Sequence, residues 1–168
     1  MAVEPLGTEP VVPAERPRGL YGARVDNKGR LKLPSAFQRF LESLQQKSYF
    51  ITTTNETTVY IYPLDEWKKK EAQLESGSTP EEIEMFDAVR FVADKYGADA
   101  AIDGEGRMLL PQVLREHFKM QDAQVWLQCR QAFIEVLNED EFRARERGAD
   151  KAKLAKANTL LTLKERKP

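Results

Sequence analysis

Two stretches of the chain share one pattern of apolar and polar positions. Residues 25–34 read Val-Asp-Asn-Lys-Gly-Arg-Leu-Lys-Leu-Pro, and residues 102–111 read Ile-Asp-Gly-Glu-Gly-Arg-Met-Leu-Leu-Pro. Asp26, Gly29, Arg30 and Pro34 return as Asp103, Gly106, Arg107 and Pro111, each 77 positions later. The phase continues, with Phe37 matching Leu114 and Leu41 matching Phe118. After a two-residue deletion, Val59 matches Ile134, Ile61 matches Val136 and Trp67 matches Phe142. Identities at fixed spacing with flanking apolar positions in step mark an internal duplication, which decides how the rest of the chain is read.

Each copy predicts the same elements. A short strand leads into Asp-x-x-Gly, where Gly29 or Gly106 supplies the positive φ of a tight turn. A second strand follows over 30–33 or 107–110, and the proline ends it. Phe37, Leu41 and Leu44 then recur at helical spacing, as do Leu114 and Phe118. Two β-rich runs close each copy: 49–53 with 57–62, and 124–128 with 133–137.

Between the copies, one helix is expected from Asp65 to about Leu74, ended by Ser76-Gly77-Ser78. A second has Thr79 as N-cap, Pro80 at N1 and Glu82 at N3, and Gly97 stops it. A last helix is expected from Asn138, running into a basic tail that is disordered or loosely helical over its final ten residues. The expected division is a flexible acidic, Pro-rich extension at 1–17, a first module with trailing helix at 18–75, and a connecting helix at 76–98. A second module at 99–142 and a basic tail at 143–168 complete it.

Composition narrows the function classes. One cysteine, Cys129, excludes an intrachain disulfide and fits a reducing compartment. No apolar run is long enough to span a bilayer, and the Pro-rich start lacks the apolar segment of a signal peptide. A cytoplasmic protein is therefore expected, with no membrane partner. The net charge of −1 argues against a strongly basic nucleic-acid binder. The charge is uneven, however: residues 142–168 hold nine Lys/Arg against three acids, while 64–101 run acidic.

The shared residues carry little catalytic chemistry. Gly makes the turn, Pro ends the strand, and Asp26 and Asp103 are suited to accept hydrogen bonds from the turn's amides. Arg30 has two readings: an ion pair with Asp26, or a planar fork for phosphate or guanine. A guanidinium is not expected to help form the turn. A ribbon carrying Arg30 and Lys28, with Arg24 nearby, suits a DNA groove. No phosphate-binding glycine loop is present, and Asp103-Gly104-Glu105-Gly106 lacks the later ligands of a calcium loop. His117 reads as a surface or partly buried histidine, and Cys129 as a buried structural thiol. No enzyme, metal site, cofactor or small-molecule substrate is expected.

The two Asp-x-x-Gly-Arg-x-x-Leu-Pro boxes resemble the AbrB/SpoVT swapped-hairpin family. Their duplication in one chain resembles the MraZ family of bacterial transcriptional regulators. Arg18-Gly19, Tyr60-Ile61-Tyr62-Pro63 with Glu66-Trp67, and Leu114-Arg115-Glu116 extend the resemblance over residues 18–143. Gln38 departs from it, standing where the first helix usually carries Arg, beside Arg39.

The resemblance implies an α+β fold in which two tandem swapped-hairpin β modules pack as an intrachain pseudo-dimer, with helices between and after them. It also implies a ring-like homo-oligomer, nucleoid-associated, that binds promoter direct repeats of its own division and cell-wall operon. Lys28 and Arg30 are then the leading DNA contacts. Arg107 follows, weakened by Glu105 in the place of Lys28, and Arg24, Arg39 and Arg115 complete the set. Two alternatives remain: an assembly protein that does not touch DNA, and an antitoxin-like regulator of the AbrB type.

Overall fold

The duplicated segments fold into one sheet, not two. The structure, a computed structural model, describes residues 15–167; most of the extension expected at 1–17 lies outside the described residues. The first copy supplies β1 (Tyr21–Val25), β2 (Arg30–Lys32), α1 (Ser35–Ser43), β3 (Tyr49–Thr52) and β4 (Val59–Pro63). Two helices follow, α2 (Leu64–Leu74) and α3 (Pro80–Tyr96). The second copy supplies β5 (Ala98–Ala100), β6 (Arg107–Leu109), α4 (Gln112–Phe118), β7 (Ala123–Arg130) and β8 (Phe133–Leu137). The chain ends in α5 (Glu139–Gly148) and α6 (Lys151–Glu165).

Strand order is β5-β3-β4-β8-β7-β1-β2-β6. The copies exchange partners in it. β1 pairs along its length with β7 of the other copy, from Tyr21 opposite Leu127 to Val25 opposite Ala123. β5 pairs reciprocally with β3. β2 lies against β6, with Leu31 opposite Met108, and β4 against β8. Two further hydrogen bonds are related by the exchange of copies: Leu33 N–H to the Gly106 carbonyl and Leu110 N–H to the Gly29 carbonyl, both 3.0 Å. Between β5 and β6 the Asp103 N–H donates to the Arg107 carbonyl at 2.9 Å, as Asp26 does to Arg30, which nearly closes the sheet into a barrel. The α+β swapped-hairpin pseudo-dimer is thus the observed architecture.

The alternation of strand side chains explains the arrangement. In β2, Leu31 is fully buried while Lys32 is exposed and Arg30 half-buried. β6 repeats this with Met108 buried and Leu109 exposed. One core runs through both copies, joining Val25, Leu31 and Phe37 to Met108, Leu114 and Val125. A module of about 60 residues buries too little apolar surface to fold well alone, and sharing one core between two copies remedies this.

The helices follow their sequence signals with two differences. Thr79 caps α3, its hydroxyl accepting from Glu82 N–H at 3.1 Å. The Glu82 carboxylate reaches back to Ser78 N–H at 2.9 Å, one residue earlier than a capping box places it. The helix expected to run from Asn138 into the tail breaks at Ala149. A new N-cap, Asp150, accepts from Lys153 N–H at 2.8 Å. α5 packs on the barrel, with Phe142 stacked on Trp126 at 4.3 Å and Arg145 paired to the buried Glu135 at 2.8 Å. α6 runs as a regular helix to Glu165, and every one of its residues is exposed. No helix among the described residues is long and apolar enough to cross a membrane.

Candidate nucleic-acid interface

The hairpin between β1 and β2 is organised by one carboxylate. Asp26 Oδ1 accepts from the backbone N–H groups of Lys28 and Arg30, both at 2.9 Å. Oδ2 accepts from Arg30 Nε at 2.9 Å. Chiefly the Arg30 amide, then its guanidinium and the Lys28 amide, hold this carboxyl below the usual aspartate value. Asp103 repeats the arrangement in the second hairpin, with Glu105 N–H at 2.9 Å and Arg107 N–H and Nε at 3.0 Å. Its carboxyl is lowered for the same reason, with the Arg107 amide the largest cause. The arginine therefore does contribute to the turn, contrary to the sequence expectation. The ion pair uses only Nε of Arg30, and its two terminal nitrogens make no hydrogen bond among the described residues.

The glycines at the tips serve contacts between copies. Gly29 has φ +84°, and a Cβ there would meet the Arg115 guanidinium of α4. Arg115 Nε donates to the Leu110 carbonyl at 2.9 Å, and its guanidinium also contacts Gln121, which in turn holds the Asn27 carbonyl. Gly106 has φ +75° and is covered instead by Gln38 of α1, whose amide donates to the Leu33 carbonyl at 2.6 Å. The copies thus place a cation over the first tip and a neutral amide over the second. Pro34 and Pro111 end their strands and stand as the N-caps of α1 and α4.

Gly29→Ala is expected to destabilise the protein by about 1–2 kcal/mol, the cost of a left-handed alanine, and to displace Arg115. Gly104→Ala, where an added Cβ meets nothing within 4 Å, should stay within about 0.5 kcal/mol of wild type. Urea unfolding of the two variants checks the pair.

The tips differ in charge accordingly. Around the first stand Arg24, Lys28, Arg30 and Arg115 against Asp26 and Asp122, the latter paired to Arg24 Nη2 at 2.8 Å. Lys28 is exposed and makes no ion pair among the described residues; the same holds for Arg39 on α1. Around the second tip, Arg107 is held by Asp103 and also by Glu105 at 3.2 Å. Arg24, Lys28, Arg30 and Arg115 therefore come together, whereas Arg107 is largely neutralised and Arg39 is an exposed residue of α1.

Lys32 joins the candidate set from the structure. It follows Arg30 at i+2 on the same strand face and lies opposite Arg107 in the β2–β6 register. Its ammonium contacts the Glu105 carbonyl. The signal was present in the alternation Arg30-Leu31-Lys32, a buried residue between two cations.

His117 lies on α4 with its ring against Tyr96, and Nδ1 is 3.2 Å from the phenol oxygen. Cys129 is half-buried, and that burial raises its thiol above the usual value.

No protein-family model matches the chain. Curated relatives do. Transcriptional regulator MraZ of Acidobacterium capsulatum is 37% identical over 128 residues, covering 75% of this chain and 84% of its own length. The protein of the same name from Koribacter versatilis is 35% identical over 100 residues, 59% of this chain and 67% of its own length. That of Shewanella violacea is 30% identical over 149 residues, 79% of this chain and 97% of its own length. With the duplicated box, the exchanged strands and this similarity, the chain belongs to the MraZ family of transcriptional regulators.

Proposed function

We propose that the protein is a sequence-specific DNA-binding regulator and that its contact surface is the exposed face of β2 and β6 with the first hairpin tip. The observation that carries this reading is the cationic cluster of Arg24, Lys28, Arg30 and Arg115 on a rigid hairpin whose turn is set by Asp26. A two-stranded ribbon of this kind suits the major groove. Arg30 offers its terminal nitrogens to guanine or phosphate, Lys28 and Lys32 serve phosphates, and Arg107 contributes more weakly. Arg39 is an outlying phosphate contact. The modules at 18–75 and 99–142 act as one DNA-binding body, and the protein works in the cytoplasm on the nucleoid without catalysing a reaction.

Two finer features belong to the same proposal. The target is a set of direct repeats in the promoter of the protein's own division and cell-wall operon, and the binding form is a ring-like homo-oligomer. A protomer with net charge −1 neutralises few phosphates. Several protomers on spaced repeats gain affinity through effective concentration instead.

Salt tests the reading. Affinity for the DNA upstream of the gene should fall steeply with ionic strength, by about 0.9 log units per log salt for each phosphate contacted. Lys28→Ala should reduce that slope by about one contact per protomer engaged. An association that ignores salt, or a slope unchanged by Lys28→Ala, would favour a protein-only assembly. The acidic, partly apolar exposed surface of α3 is the feature that recommends that rival.

A further inference from the structure

Seven of the ten large apolar side chains exposed among the described residues lie on just two helices, α3 and α6. The two carry opposite charge. α3 has five acids against Arg90 and Lys95, and α6 has four lysines against Glu165. On α3 the face turned away from the buried Ala93 and Tyr96 carries Ile83, Glu84, Asp87, Phe91 and Asp94, with Phe91 68% exposed. On α6, Lys153, Lys156, Leu160, Leu163 and Lys164 recur at the spacing of one helical seam.

We propose that α6 of one copy docks on the exposed face of α3 of a second copy, with Leu160 and Leu163 against Ile83 and Phe91, and lysines against Glu84 and Asp87. Charge and apolar character match on both sides at once. The charges involved are available. Arg90 engages Glu71, Glu75 and Asp94, which ties α2 to α3, while Glu84 and Asp87 form no ion pair among the described residues. Lys156 and Lys164 form none either. The chain's own α3 does not cover α6, which is exposed throughout. A helix of this length is marginal in water without a packed face, so a partner surface also accounts for its regularity. DNA is the less suitable occupant, because phosphates offer nothing to Leu160 and Leu163 and would leave Phe91 uncovered. The contact concerns self-association and stands independently of DNA binding.

Sedimentation velocity on the full chain over a range of concentrations tests it. Lys153→Glu/Lys156→Glu/Lys164→Glu should raise the concentration at which the assembly forms by tenfold or more, as should Glu84→Lys/Asp87→Lys. Combining the two sets restores opposite charges and should recover most of the loss. In a Cys129→Ser background, Phe91→Cys with Leu160→Cys should give a disulfide between chains.

Assembly unchanged by both reversals overturns the docking alone and leaves the ring reading standing; a monomeric wild type overturns both. A triple reversal that weakens DNA binding without shifting assembly overturns it in favour of phosphate contact. A disulfide formed only within one chain overturns it in favour of intrachain docking.

Discussion

Arg30→Ala is expected to abolish specific binding to the promoter DNA while leaving the oligomer intact. One well-placed arginine fork on guanine contributes about 1–3 kcal/mol of discrimination, a factor of roughly five to more than a hundred. Loss of the same contact in every protomer of a multivalent complex multiplies that factor. The geometry gives the residue a second effect, because Nε also holds Asp26 Oδ2 at 2.9 Å.

Two companion variants separate the effects. Arg30→Lys keeps the charge but loses the fork, so it should retain salt-sensitive non-specific binding and lose preference for the promoter. Asp26→Asn keeps the cation and loosens the turn, so it should weaken binding less than Arg30→Ala does. Anisotropy titrations read the affinities, and a sizing column reads the assembly. Dissociation of Arg30→Ala on the column would make Arg30 a structural residue.

Leu31→Ala is expected to destabilise both copies together, by about 2–5 kcal/mol. Leu31 is fully buried in β2 opposite Met108, where the two copies meet. Its core extends through α1, α4 and β7, so the cavity left by truncation is felt on both sides. The two tryptophans allow a direct check, because Trp67 lies on α2 after the first copy and Trp126 on β7 in the second. Trp67→Phe and Trp126→Phe versions each report one half, and their urea transitions should coincide before and after Leu31→Ala. Separate transitions, with only the Trp67 signal shifted, would contradict a shared core.

The sequence made the repeat legible because its register is carried by residues whose roles are local. Asp26 accepts from its own turn's amides and Gly29 supplies that turn's positive φ, and alternation places Leu31 inward whatever the partner strand. Contacts between copies were not legible. The cover over Gly29 comes from Arg115, far along the chain, and nothing near Gly29 announces it. The Arg30–Asp26 bond depends on the guanidinium folding back along its own strand, which residue type alone does not decide. Glu135 is buried because Arg145 and Gln128 reach its carboxylate, an environment that exists only once α5 has folded against β8. The break between α5 and α6 was within reach: Gly148 followed by Asp150 is a stop and an N-cap. The helical propensity of the alanines and lysines beyond it concealed the boundary.

In the proposed function the first hairpin reads DNA sequence. The most direct test is fluorescence anisotropy of wild type and Arg30→Ala on the DNA just upstream of the gene and on a shuffled duplex of equal composition, at two salt concentrations. Wild type is expected to bind tightly and salt-sensitively with clear preference for the upstream DNA, and the variant to lose that preference. Equal binding to both duplexes, or no binding by an oligomeric wild type, would contradict it.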